Sequence, residues 1–273
     1  MNLPRIRSLG FTTANAEQLA HFYGVNLGCQ PGRSLAIEGG RYAELIGLPG
    51  SRLMLKQLHL GQEQLELTEV LALGPGLRPG RPVPGDSRSC DLWFQHICVV
   101  VANMDDAAAP LQARVATGAL RAISTTPQTL PSWNTAAAGI QAYKVHDPEG
   151  HCLELLHFPP DKGDARWHQA DASASTPFLG IDHSAIANAD TPRSCRFYEG
   201  LLGLRLGDAP RAAVTTTPRA VPLLRRTENE HHCRARPGKS ITISDSCTRP
   251  SASAASISAS TCWALITTDT CRA

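Results

Sequence analysis

Excess charge is the first thing this chain lacks. Its 26 lysine and arginine residues nearly balance 24 aspartate and glutamate residues, for a formal net charge of +2. That balance offers no basis for a nucleic-acid or anionic-membrane partner. Long apolar runs are missing too, and no stretch approaches the length needed to span a bilayer. The opening "MNLPRIRSLGFTT" has no apolar core of the kind a secretion signal carries. The nine cysteines include no Cys-x-x-Cys pair and no secreted-scaffold spacing. The expectation from these absences is a cytoplasmic protein with free thiols. Its 42% hydrophobic and 18% charged content is that of a soluble globular protein, and 273 residues allow one large or two smaller domains.

What is present is a layout that recurs. "IRSLGFTTANAEQLAHFY" from Ile6, "FQHICVVVANMDDA" from Phe94 and "IDHSAIANADTPRSCRFY" from Ile181 share one pattern. Aligning Ser8, His96 and His183 spaces the three units by 88 and 87 residues. The first and third match without a gap through Phe22-Tyr23 and Phe197-Tyr198. Such internal similarity is the signature of a repeated structural unit.

Each unit reads as a strand, a helix and further strands. "SLGFTT" and "HICVVVA" are short apolar runs rich in β-formers. Asn15, Asp105 and Asp190 stand where the following helix begins and can cap its free amides. The first helix places Leu19, Phe22 and Tyr23 on one face, and Gly28 stops it. Later come "RLMLKQLHLG" and "QEQLELTEV" in unit one, and "IQAYKVHD" and "GHCLELLHF" in unit two. Glu66 alternates with Leu65 and Leu67, which puts it on the face opposite those leucines.

Proline and glycine divide the units. "GPGLRPGRPVPGDSRS", Gly74 to Ser89, connects units one and two, and Pro159 to Pro177 separates units two and three. The predicted organisation is a domain over 1–158 made of modules 5–73 and 91–158, a linker over 159–177, and the start of a third module over 178–208. After Asp208 the composition turns to Ser, Thr, Ala and Arg, with Trp263 the one aromatic residue. No strand or helix period persists there, so the expectation for 209–273 is a disordered tail resembling an out-of-frame translation of GC-rich DNA.

The spacing within units carries chemistry. Ser8 to Glu66 and His96 to Glu154 are both 58 residues, which suggests equivalent positions in two copies of one fold. Imidazole and carboxylate there form a reasonable divalent-metal site.

"HICVVVANMDDA", "HSAIANAD" with "RFYEGLLGLRL", and above all "DPEGHCLELL" resemble the vicinal oxygen chelate superfamily. That group includes glyoxalase I, extradiol ring-cleaving dioxygenases, methylmalonyl-CoA epimerase, and fosfomycin and bleomycin resistance proteins. The likeness spans about residues 5–207, roughly three quarters of the chain. It implies an α+β fold of paired βαβββ modules whose curved mixed sheets form a cleft around a metal.

The resemblance implies ligands on the first and last strands of each module, which gives His96 and Glu154 from module two and Glu66 from module one. The fourth position is Ser8, a departure from the four-ligand set. The implied cofactor is a divalent ion (Zn, Ni, Mn or Fe), and the implied partner is a small vicinal-oxygen substrate, with a homodimer as a further option. Lyase or isomerase chemistry of the glyoxalase kind is the leading expectation, with Glu66 or Glu154 as a proton-shuttling base. The rival from another class is a non-catalytic protein that sequesters a small molecule, which Ser8 favours.

A ring-cleaving dioxygenase is the second enzymatic alternative. Iron that activates oxygen usually has two histidines and one carboxylate, and modules one and two supply a single histidine. Pairing module two with module three instead would unite His96, Glu154 and His183 as a facial triad. Pairing one with two is the simpler expectation. Against a ring-cleaving enzyme, Lys144 stands where those relatives carry tyrosine, and Tyr143 is displaced to the other face of the strand.

The remaining candidates are weaker. His21, His59, His146, His151, His157 and His168 read as structural or solvated. The "HHC" at His231 to Cys233 has no complementary cluster nearby in sequence. Trp133 reads as a cleft wall or a core residue. Neither Cys98 nor Cys152 has a recognisable activating base.

Overall fold

The computed structural model describes residues 5–84, 87, 91–92, 95–135, 137–169 and 176–206, together with the strand backbones of 230–235, 239–245 and 263–267. The first unit contains β1 (Arg5–Thr13), α1 (Ala16–Leu27), β2 (Gln30–Glu38), α2 (Gly40–Leu45), β3 (Arg52–Leu60) and β4 (Glu63–Ala72). The second contains β5 (Gln95–Val101), α3 (Met104–Ala116), β6 (Arg121–Ala122), β7 (Gln128–Thr129), β8 (Gln141–His146) and β9 (Cys152–His157). The third opens with β10 (Phe178–Asn188), α4 (Thr191–Cys195) and β11 (Arg205–Leu206). Three strands follow, β12 (Glu230–Ala235), β13 (Lys239–Asp245) and β14 (Trp263–Thr267). The rest of the expected disordered tail lies outside the described residues.

Local chemistry accounts for the helix limits. Asn15 accepts a bond from the Gln18 amide at the start of α1. Gly28 ends the helix at φ 68°, a left-handed conformation that costs glycine little. Asp190 caps α4 as expected. In α3 the cap is Asn103 rather than Asp105, because the Asn103 side chain reaches the amides of Asp105 and Asp106. Asp105 sits in the first turn instead, where its charge complements the helix dipole.

The strands form two mixed sheets. One runs β14-β1-β4-β3-β2; the other runs β11-β12-β13-β10-β5-β9-β8-β6, with β7 also paired to β8. Alternation along the strands decides what each face does. Leu9, Phe11, Leu65, Leu67, Ile97, Val99, Val101, Tyr143, Val145, Leu153 and Leu155 join α1 and α3 in one continuous core. The intervening residues of β5, β8 and β9, among them His96, Lys144 and Glu154, therefore lie on the other face.

In register the first two units agree. Parallel pairing of β1 with β4 sets Gly10 opposite Glu66, and that of β5 with β9 sets Cys98 opposite Glu154. Each glutamate is thus opposite the residue two places beyond Ser8 or His96.

Which units share a sheet is the main departure from the sequence reading. Modules one and two do not join edge to edge. β5 of the second unit pairs antiparallel with β10 of the third, with Ala185 opposite His96 and His183 opposite Cys98. β1 takes β14 as its outer neighbour. The sequence similarity among the opening strands makes their edges interchangeable as partners, so the choice rests on long-range packing.

Candidate metal centre

Three strands bring the site together. His96 projects from β5, Glu154 from β9 beside it, and His183 from β10 on the other side. His96 Nε2 lies 2.9 Å from Glu154 Oε2, His183 Nε2 lies 3.6 Å from the same oxygen, and the two Nε2 atoms are 3.4 Å apart. All three residues are buried, at 3%, 7% and 7% exposure for His96, Glu154 and His183. Among the described residues they form the one His/Cys/Asp/Glu group compact enough to hold an ion.

The spacing fits a metal. Ligand atoms about 2.1 Å from one ion lie about 3.0 Å apart at right angles and about 3.4 Å apart at the tetrahedral angle. The observed separations of 2.9, 3.4 and 3.6 Å fall around these values. Two imidazoles and a carboxylate on one face make a facial donor set, the kind that leaves further coordination positions for a substrate.

Surrounding groups tune the donors. Lys144 Nζ sits 3.0 Å from Glu154 Oε1, the oxygen not turned to the histidines. Burial opposes the charge on Glu154, but Lys144, His96 and His183 together hold its carboxyl well below the usual carboxylate range. Burial pushes His96 below the ordinary imidazole value, which keeps it a neutral donor. At His183 burial acts in the same direction, but the neighbouring Cys98, Asp182 and Glu154 outweigh it and raise the ring well above its ordinary value. Asp182 Oδ2 lies 2.9 Å from His183 Nδ1.

The sequence candidates divide clearly. His96 and Glu154 come together as expected. Glu66 does not join them: it lies on β4 of the other sheet, and its Oε1 accepts a 2.8 Å bond from the Tyr42 hydroxyl. Its place in the cluster is taken by His183, which follows from β10 lying beside β5. Ser8 is buried on β1 and belongs to neither β5 nor β10. The third unit supplies no matching carboxylate, because Thr242 stands opposite Ala185 at the position corresponding to Glu154.

Of the other candidates, Cys98 lies against His183, opposite it on the neighbouring strand. Burial pushes the thiols of Cys98 and Cys152 up to about 12, so neither is a ready nucleophile. Trp133 is 71% exposed and is not a core residue. His146 Nδ1 engages the Gly150 carbonyl, and His168 engages that of Lys162. The side chains of the "HHC" segment lie outside the described residues.

Tyr143 faces the core, as its register required, and its buried hydroxyl has no hydrogen-bond partner. Replacing a buried, unbonded polar group by an apolar one of the same shape is neutral or stabilising. Tyr143→Phe is therefore expected to hold or raise the urea midpoint, with a gain of up to about 1 kcal/mol. A clear loss of stability would show that the hydroxyl is satisfied.

No family model and no curated protein matches the chain. Solved structures do. A single-residue variant of glyoxalase I from Zea mays superposes with a TM-score of 0.50 at 14% identity, over 89% of this chain and 67% of that one. A candidate dioxygenase from Bacillus subtilis gives a TM-score of 0.50 at 13% identity, over 89% of this chain and 64% of its own. The chain thus spans about two thirds of the length of each. Its fold is the mixed α+β architecture of these two structures. Among the described residues, no helix is long and apolar enough to cross a membrane.

Proposed function

We propose that the chain is a metal-dependent enzyme in which His96, Glu154 and His183 hold one ferrous ion, and that it cleaves a catechol-type ring with dioxygen. The observation that carries this reading is the donor set, two imidazoles and one carboxylate on one face of one sheet. Zinc or nickel isomerase chemistry tolerates many donor sets, whereas this one is the pattern associated with non-haem iron oxygenases. A ferrous ion bound there would supply Lewis acidity toward two neighbouring oxygens and electron transfer toward dioxygen. The reaction needs no outside reductant: both atoms of dioxygen end in the ring-opened product as one carbon–carbon bond of the ring breaks.

The chain's own groups have definite parts in this reading. His96 stands on the middle strand between Glu154 and His183, and both histidines turn Nε2 toward Glu154 Oε2. Lys144 holds Glu154 Oε1 and, being partly exposed, can give a proton to a substrate oxygen at the edge of the site. The glyoxalase-like alternative asks for a carboxylate that accepts a proton from carbon. Glu154 suits that poorly, since a carboxyl held well below its usual range is a weak base, and Glu66 is engaged by Tyr42.

The test is oxygen consumption after anaerobic loading with ferrous iron, using catechol and simple substituted catechols. Iron-dependent uptake with a yellow ring-opened product supports the reading. Isomerisation of a thiol–ketoaldehyde adduct with zinc or nickel and no oxygen uptake would support the glyoxalase alternative. Tight binding of a small ligand without any metal would support sequestration.

A further inference from the structure

We infer that Asp182, itself held by Trp167, is a positioning residue that fixes the ring of His183 as a ligand, an inference resting on the metal site proposed above. Adjacent residues of a regular strand point to opposite faces, so an aspartate beside a histidine cannot ordinarily bond to it. Here the pairing of β10 with β5 slips between Ile181 and His183: Ile181 stands opposite Val99 and His183 opposite Cys98. Asp182 is the extra residue of this bulge, a device that re-aims side chains beside functional sites. Its Oδ2 reaches His183 Nδ1 at 2.9 Å, while its Oδ1 accepts from Trp167 Nε1 at 3.2 Å.

Trp167 is fixed in turn. It is buried in a short 3₁₀ turn, Ala165–His168, and the Arg166 guanidinium stacks 3.7 Å above its ring. Arg166 also donates to Glu63 Oε1 at 2.9 Å, and Glu63 Oε2 accepts from the Ile181 amide at 3.0 Å. Gly180 has φ 156°, and a Cβ there would meet Glu63 Oε2 at 2.5 Å and the Trp167 ring at 3.2 Å. The linker segment is therefore seated against β10 one residue from the bulge. Through Glu63, Arg166, Trp167 and Asp182, the first unit reaches a ligand that the third unit supplies.

The consequence is chemical. A carboxylate on Nδ1 keeps a proton on that nitrogen, which leaves Nε2 as the ring atom available to a metal between Glu154 and His96. Loss of such outer partners typically weakens metal binding 10- to 100-fold. Cobalt(II) binding to the full chain, followed by calorimetry and visible absorption, should weaken by about that factor in Asp182→Ala. Asp182→Asn keeps an acceptor oxygen and should recover most of the loss, and Trp167→Phe should cost less than Asp182→Ala. Proton–nitrogen spectra of the zinc-loaded protein should show the His183 Nδ1–H as a strongly hydrogen-bonded, downfield proton in the wild type and shifted upfield in Asp182→Ala.

Equal cobalt affinity in wild type and a folded Asp182→Ala, or an unchanged Nδ1–H signal, would overturn the inference while leaving the metal site standing. Wild-type protein that binds no cobalt would overturn both.

Discussion

His183→Ala is expected to abolish stoichiometric binding of a divalent ion, while Glu66→Gln leaves it unchanged. Glu66 is the first unit's counterpart of Glu154 and His183 the third unit's counterpart of His96, and either could complete a site begun by His96 and Glu154. The geometry separates them: His183 Nε2 is 3.6 Å from Glu154 Oε2, whereas Glu66 lies on the other sheet with Tyr42. Removing one of three protein ligands eliminates a third of the donor set, and the remaining two positions cannot fix a facial geometry. The change should exceed 100-fold, beyond what loss of an outer-sphere partner produces. Calorimetric titration with cobalt(II) or ferrous iron under anaerobic conditions reads it directly. His96→Ala should behave like His183→Ala. Loss of binding in Glu66→Gln with retention in His183→Ala would restore the first unit as the ligand donor.

The second large effect is expected in stability, at Asp147. This buried carboxylate accepts from the Tyr23 hydroxyl at 2.8 Å, from His151 Nδ1 at 2.8 Å, and from the amides of Glu149 and His151. Glu149 beside it bonds Thr13 and the amides of Ala14 and Asn15 at the start of α1. The Asp-Pro-Glu-Gly-His turn is thereby the clasp between the second unit and the first helix. Asp147→Ala leaves the Tyr23 and His151 groups buried without their partner, and is expected to cost about 3 to 5 kcal/mol. Chemical unfolding of the full chain measures this, and a loss under about 1 kcal/mol would contradict a clasp of this kind.

The same contact gives a pH dependence. Burial works against a charge on His151, but the bonds and charge of Asp147, with Glu149 and the Thr12 carbonyl, raise the imidazole above its ordinary value. The folded protein therefore holds a proton that the unfolded chain releases near pH 6.5. That contribution is complete below the unfolded value and fades as pH rises through the folded one, so stability should fall with rising pH above about 6.5. His151→Gln should flatten the slope. A wild-type stability that climbs over that range would show that other groups dominate.

How much of this could be read in advance depends on the range of each interaction. Within one unit the sequence was informative. His96 and Glu154 come from the first and last strands of the same module, and parallel pairing of β5 with β9 fixes them in one register. Tyr143 and Lys144 were separable because strand alternation is local, and they do lie on opposite faces. The helix stops and caps were legible for the same reason, with the α3 cap displaced from Asp105 to Asn103 because asparagine two residues earlier also reaches the free amides.

Pairing between units was not legible. β1 and β10 carry matching sequences, and nothing in either says which of them will take the edge of β5 that β9 leaves open. That single choice exchanges Glu66 for His183 and turns a site with one histidine into a site with two. The bulge at Asp182 was hidden as well, since a slipped register depends on the partner strand and on the seated Trp167. The identity of Thr242 at the position matching Glu154 appears only once β13 is placed beside β10.

The most direct measurement is anomalous diffraction from crystals of the full chain grown with cobalt(II) or iron(II). The expected result is one peak about 2.1 Å from Nε2 of His96, Nε2 of His183 and Oε2 of Glu154. Density for the ion beside Glu66, or none between the two histidines at saturating metal, would contradict it.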